Sequence, residues 1–105
     1  MIDKYKVITL CGSSKFKKEF FVLQQKLTLE GNIVLLPVFF DDGTEVADSK
    51  YSMLKDMHTK RIDLADEIFV INKNGYIGCS TKLEIEYAIK SGKKINYLEP
   101  LKHQG

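Results

Sequence analysis

Glu67-Ile-Phe-Val-Ile-Asn-Lys-Asn-Gly-Tyr-Ile-Gly-Cys-Ser-Thr-Lys-Leu-Glu-Ile-Glu-Tyr-Ala88 is the stretch that decides the fold. It opens with an apolar, β-branched run, Ile68 to Ile71, of the kind buried on both faces of a parallel sheet. A glycine-punctuated loop, Asn72 to Gly78, leads into a helical pattern over about 80–91 that stops at Gly92. In open α/β folds such a strand-to-helix loop lies at the carboxyl edge of the sheet, where ligands bind. Glu84 stands in the first turn of the expected helix, where free N–H groups and the positive end of the dipole favour an ionised carboxylate. A carboxylate aimed into a crevice can serve as a nucleophile or stabilise a cation. The spacing Thr81-Lys-Leu-Glu84 equally fits a capping box, with Thr81 as cap and Glu84 reaching back to it.

Working outward, Lys6-Val-Ile-Thr-Leu-Cys11 reads as a buried strand, broken by Gly12-Ser13-Ser14. Phe16, Phe20, Leu23 and Leu27 recur at helical spacing over 15–30, and Gly31 is placed to end that helix. Ile33-Val-Leu-Leu36 is a second strand, closed by Pro37. The polar stretch Phe39 to Tyr51, with Asp41, Asp42, Glu45 and Asp48, is long enough to act as a lid. A helix over about 50–64 precedes the third strand, and Lys94-Ile-Asn-Tyr-Leu98 makes a short fourth one before the polar tail from Glu99 to Gly105. Strands alternate with helices throughout, which predicts right-handed βαβ units and a parallel sheet with helices on both faces.

With 105 residues the chain forms one domain, 1–105, with a single core. Hydrophobic residues at 44% and charged residues at 29% match a globular protein. A net charge of +2 gives no argument for a nucleic-acid polymer. The start, Met-Ile-Asp-Lys-Tyr-Lys, carries no signal-peptide pattern, and no apolar run is long enough to span a bilayer, so a cytoplasmic location is expected. Cys11 and Cys79 have no CxxC partner and no histidine at metal spacing. They read as reduced thiols beside strand ends, and no metal or other cofactor is expected.

In a parallel sheet the strand-to-helix loops open on one edge, so Gly12-Ser13-Ser14, the Asp41–Asp48 loop and Asn72–Thr81 should converge. Gly12 permits close backbone approach, while Ser13, Ser14, Lys15 and helix N-terminal N–H groups can hold an anion. A turn with a helix cap is the plainer reading of the same residues. Tyr76, in its glycine-flanked loop, can stack on a base. His58 can act as a general acid or base, against the plainer reading of a surface histidine. Glu86 lies about 200° round the helix from Glu84 and cannot share its pocket.

Three blocks resemble the nucleoside 2-deoxyribosyltransferase-like superfamily, which includes the 2'-deoxynucleoside 5'-monophosphate N-glycosidases. They are Ile8-Thr-Leu-Cys-Gly-Ser-Ser14, Ile62-Asp-Leu-Ala-Asp66 with Glu67-Ile-Phe-Val-Ile71, and Ser80-Thr-Lys-Leu-Glu-Ile-Glu-Tyr-Ala88 leading to Gly92-Lys-Lys94. The resemblance implies a flavodoxin-like or Rossmann-like three-layer α/β sandwich with a parallel sheet of four to five strands. It implies N-glycosidic cleavage or deoxyribosyl transfer with Glu84 as nucleophile, and a 5'-phosphate held by Ser13, Ser14, Ser80 and Thr81. It also implies a homodimer or higher homo-oligomer, with a nucleoside or nucleotide as the small-molecule partner. His58 is the best-spaced substitute for the family's middle aspartate, and Gly78 occupies the position of a further transferase aspartate. The chain is also shorter than typical transferases. These departures keep open a binding or sensing module without catalysis.

Overall fold

Side chains along the first strand alternate between two separate cores, and this alternation organises the molecule. The computed structural model describes residues 4–101. In it, strand β1 (Lys6–Gly12) leads to helix α1 (Lys17–Leu29) and strand β2 (Asn32–Leu35). Helix α2 (Tyr51–Leu64), strand β3 (Glu67–Ile71), helix α3 (Cys79–Lys90) and strand β4 (Lys94–Tyr97) follow. All described strand pairs are parallel, in the order β2-β1-β3-β4, giving a four-stranded sheet and a flavodoxin-like three-layer arrangement. The expected elements are all present, with ends shifted by a residue or two.

Ile8 and Leu10 of β1 and Ile71 of β3 face α1, whose Phe20, Leu23 and Leu27 are buried against them together with Phe16. Cys11 of β1 and Ile68 and Val70 of β3 face the opposite layer, where Ile62 of α2 and Ala88 of α3 close the second core. Burying residues of this size contributes roughly 1.5–3 kcal/mol each. The only polar side chain of β1 in this wall, Thr9, is fully buried and donates to the Arg61 carbonyl at 2.7 Å. That bond fixes α2 over the sheet.

From β1 the chain turns through α1 towards β2, on one side; from β3 it turns through α3 towards β4, on the other. The point where the order reverses therefore lies between the carboxyl ends of β1 and β3, the crevice where open α/β sheets bind ligands. Gly12 sits there because of β3 as much as any ligand. A Cβ at this position would stand 3.1 Å from both the Cβ and the carbonyl oxygen of Ile71, and 3.3 Å from Phe20 Cζ. The start of the polar tail is tied down: buried Asn72 donates to the Glu99 carbonyl at 2.9 Å and accepts from its N–H at 2.8 Å. The rest of that tail, His103 included, lies outside the described residues.

Candidate active site

Helix α3 begins earlier than its sequence pattern suggests. Gly78, in extended backbone (φ −75°, ψ 172°), is the N-cap, and no side chain caps the helix. Thr81 is thereby drawn into the helix and buried, so the expected capping box does not form. Glu84 falls in the second turn rather than the first, past the unpaired N–H groups, and its carboxylate reaches sideways towards α2. Cys79, Ser80 and Thr81 of the first turn share a cleft with Ser13 and Ser14 of the loop after β1.

What Glu84 meets is His58. The histidine is buried on α2, one turn before the core residue Ile62, which sets aside the surface reading of this residue. Its Nε2 lies 3.6 Å from Glu84 Oε1 and 3.6 Å from Cys11 Sγ. On the other side of the ring, Arg61 Nη1 lies 3.4 Å from Nδ1. A guanidinium can only donate, so Nδ1 accepts and the proton sits on Nε2, pointing at the carboxylate and the sulfur. Glu84 Oε1 is buried without a hydrogen-bond partner. Burial first, and then the neighbouring Glu84 carboxylate, push the Cys11 thiol well above its ordinary value, so it stays protonated.

Two clefts meet at Gly12 and Ser80. One, of about 190 Å³, is walled by Gly12, Pro37, Tyr51, Leu54, His58 and Glu84. The other, of about 290 Å³, joins Ser13 and Ser14 to Tyr76, Gly78, Ser80 and Thr81. A third, of about 250 Å³, runs from Glu84 along Lys55, Thr59, Leu83 and Tyr87. The fold thus brings together every site residue expected from the sequence except that Lys15 approaches only through Tyr76. Its ammonium sits 3.3 Å from the Tyr76 ring centroid, and Phe16 meets the same ring edge-on at 6.0 Å. Tyr76 therefore stands among the serines with one face covered by a cation, rather than beside Glu84. Ser13 already accepts from Lys15 N–H at 3.3 Å as the cap of a short 3-10 turn.

The acidic loop does not join the site. Its ends, Pro37 and Tyr51, line the first cleft, whereas Asp41, Asp42, Glu45 and Asp48 are exposed and line none of the three. Glu86 is exposed, as its angle to Glu84 requires. Arg61, Tyr51 and Leu54 were not expected here, and Cys11, expected only as a thiol beside a strand end, contacts the histidine directly. Cys11 was findable by parity, because it shares the strand face of Thr9, which looks towards α2 and α3. A further groove beside α1, between Val22, Leu23 and Leu98, carries the exposed Lys73–Glu19 ion pair but no convergent buried polar group.

No family model matches the chain, and no curated protein matches it. Among solved structures, the chain is similar to a conserved protein from Enterococcus faecalis V583, with a TM-score of 0.65 and 20% identity. The match covers 89% of this chain and 62% of that one, so the chain spans less than two thirds of the neighbour's length. At this identity the likeness shows the fold alone. No helix among the described residues is long and apolar enough to cross a membrane.

Proposed function

We propose that the protein cleaves the N-glycosidic bond of a deoxynucleoside or its 5'-monophosphate, by hydrolysis or deoxyribosyl transfer, with Glu84 as the nucleophile. The observation that carries this reading is the Glu84 carboxylate at the sheet's switch point, with one buried oxygen that contacts His58 but has no hydrogen-bond partner, beside the clefts. In the reaction, a Glu84 oxygen bonds to C1' as the C1'–N bond breaks and its electron pair leaves with the base. Water, or a second base, then attacks C1' and releases the carboxylate, and the proton this attacking group gives up to solvent balances the one the departing base takes up. The carboxylate also stabilises the oxocarbenium character at C1' while both bonds are partial.

His58 is a positioning residue in this scheme. Its Nε2–H is aimed at Glu84, and Arg61 on Nδ1 keeps the proton on that side. The serine-lined cleft takes the 5' end. Ser13, Ser14, Ser80 and the uncapped first turn of α3 offer hydroxyl and N–H donors to a phosphate. One to three charge-assisted hydrogen bonds there correspond to a few kcal/mol, on the order of a hundredfold in affinity. The base then lies towards Tyr51 and Leu54, in the other cleft. The resemblance described above further supports a homo-oligomer.

A second reading, a nucleotide-binding or sensing module, is favoured by one observation: Glu84 is the only acidic residue lining any of the three clefts. Base release from a panel of deoxynucleosides and their 5'-monophosphates separates the two. Release, faster for the monophosphates, is the expected result. Tight nucleotide binding with no release over hours would establish the sensing module instead.

A further inference from the structure

Cys11, His58 and Glu84 come from three different elements, β1, α2 and α3, and converge on one small volume. Their ligand atoms all lie within 4.8 Å of one another. The two measured separations, Sγ to Nε2 and Nε2 to Oε1, are both 3.6 Å. That is long for an N–H···O hydrogen bond, which falls at about 2.7–3.2 Å. The sulfur–nitrogen separation equals the edge of a tetrahedron around zinc, about 3.6 Å with Zn–S about 2.3 Å and Zn–N about 2.0–2.1 Å, and the nitrogen–oxygen separation exceeds its edge of about 3.4 Å by only about 0.2 Å. The carboxylate oxygen in this group is buried and has no hydrogen-bond partner.

We propose that Cys11, His58 and Glu84 form a three-ligand binding site for a thiophilic divalent cation of the Zn²⁺ class. A thiolate and an imidazole select Zn²⁺, Co²⁺ or Cd²⁺, whereas Mg²⁺ and Ca²⁺ take oxygen ligands. The cleft at Gly12 and Ser80 gives the ion its way in and leaves the fourth position open to water. On binding, the Cys11 thiol proton leaves to solvent, and the sulfur and nitrogen lone pairs form the bonds to the metal. The imidazole proton moves from Nε2 to Nδ1, which changes Nδ1 from acceptor to donor. Arg61, itself only a donor, must then swing off Nδ1. In the metal-free protein Arg61 therefore opposes the ion, and the site is set for a reversible cation rather than a permanent one. A bound ion ties up Glu84, so the same three side chains cannot hold metal and attack a sugar at once. The binding site itself does not depend on the N-glycosidase reading.

The test uses Co²⁺ alone as probe, in a Cys79→Ser background that removes the exposed second thiol. Co²⁺ titration is expected to give a sulfur-to-cobalt charge-transfer band with intense tetrahedral d–d bands, saturating at one ion per chain. Zn²⁺ should displace it and excess Mg²⁺ should not. Cys11→Ser should abolish the charge-transfer band, and Glu84→Gln should weaken binding. Arg61→Gln, which supplies a carbonyl to accept from Nδ1–H, should tighten Co²⁺ binding about tenfold. A charge-transfer band absent at tenfold excess of Co²⁺, or retained in Cys11→Ser, overturns the proposal. So does a Glu84→Gln variant that is folded by circular dichroism and binds Co²⁺ as tightly as the parent. Failure of base release with an intact cobalt spectrum would remove the N-glycosidase reading and leave the metal site standing.

Discussion

Replacing Gly12 with alanine should destabilise the protein even though the backbone there needs no glycine conformation. The methyl group would lie 3.1 Å from Ile71 Cβ, 3.1 Å from the Ile71 carbonyl oxygen and 3.3 Å from Phe20 Cζ. Ordinary carbon contacts lie at about 3.5–4.0 Å, so three contacts are too short by several tenths of an ångström. Two of the atoms belong to the paired residue of β3, which is held in register with Gly12. The central strands must therefore part slightly, and Phe20, fully buried, has little room to turn. Overpacking of this kind costs about 1–3 kcal/mol. Loss of glycine's freedom in the unfolded chain returns about 0.4–1 kcal/mol. Mid-range values leave a net loss of about 1.3 kcal/mol, or a fall in Tm of roughly 5–10 °C for a domain of this size. Differential scanning calorimetry measures it directly. An unchanged or higher Tm would refute the claim that Gly12 is set by the approach of β3.

Asn72→Ala should cost about 2 kcal/mol in urea unfolding, because it leaves the N–H and carbonyl of Glu99 without their side-chain partners; an unchanged midpoint would show that the tail is not anchored there. The Lys73 ammonium, hydrogen-bonded to Glu19 at 2.8 Å, holds the Glu19 carboxyl below its ordinary 4.5. A depressed carboxylate contributes stability that is present above that ordinary value and lost as pH falls through the folded-state value. Glu19→Gln should therefore flatten the decline in stability below pH about 4.5, and an identical acid limb would remove the pair from the account. In the native protein iodoacetamide should modify exposed Cys79 and spare Cys11, which is buried and held protonated; intact mass before and after unfolding reads this, and equal native reaction of both thiols would contradict it.

The sheet and its helices were legible because apolar periods of two and of 3.6 residues are local signals. Phe16, Phe20, Leu23 and Leu27 mark the α1 core without any knowledge of the partner strands. The site was legible only where a loop must open at the carboxyl edge, as at Gly12, Ser13, Ser14 and Ser80. Thr81 misled because the capping-box spacing holds equally in a helix interior; what decides the start is the extended backbone of Gly78, two residues before the expected first turn. His58 and Arg61 show the same limit from another side. Their helix has charged residues around much of its circumference, and its rotation is set by long-range ties: burial of Ile62, the bond from Thr9 to the Arg61 carbonyl and the bond from Tyr87 to Asp63. Contacts such as Cys11 to His58, separated by 47 residues, depend on that rotation and leave no local trace.

The central claim is that a carboxylate at position 84 breaks the bond between sugar and base. Single-turnover base release from a deoxynucleoside 5'-monophosphate, compared between the wild type and Glu84→Gln, tests it most directly. Glutamine keeps the shape of the side chain and removes its nucleophilic charge. The account expects rapid release by the wild type and a loss of about a thousandfold or more in the variant, with substrate still bound. Equal release by both proteins, or none by the wild type, would contradict it.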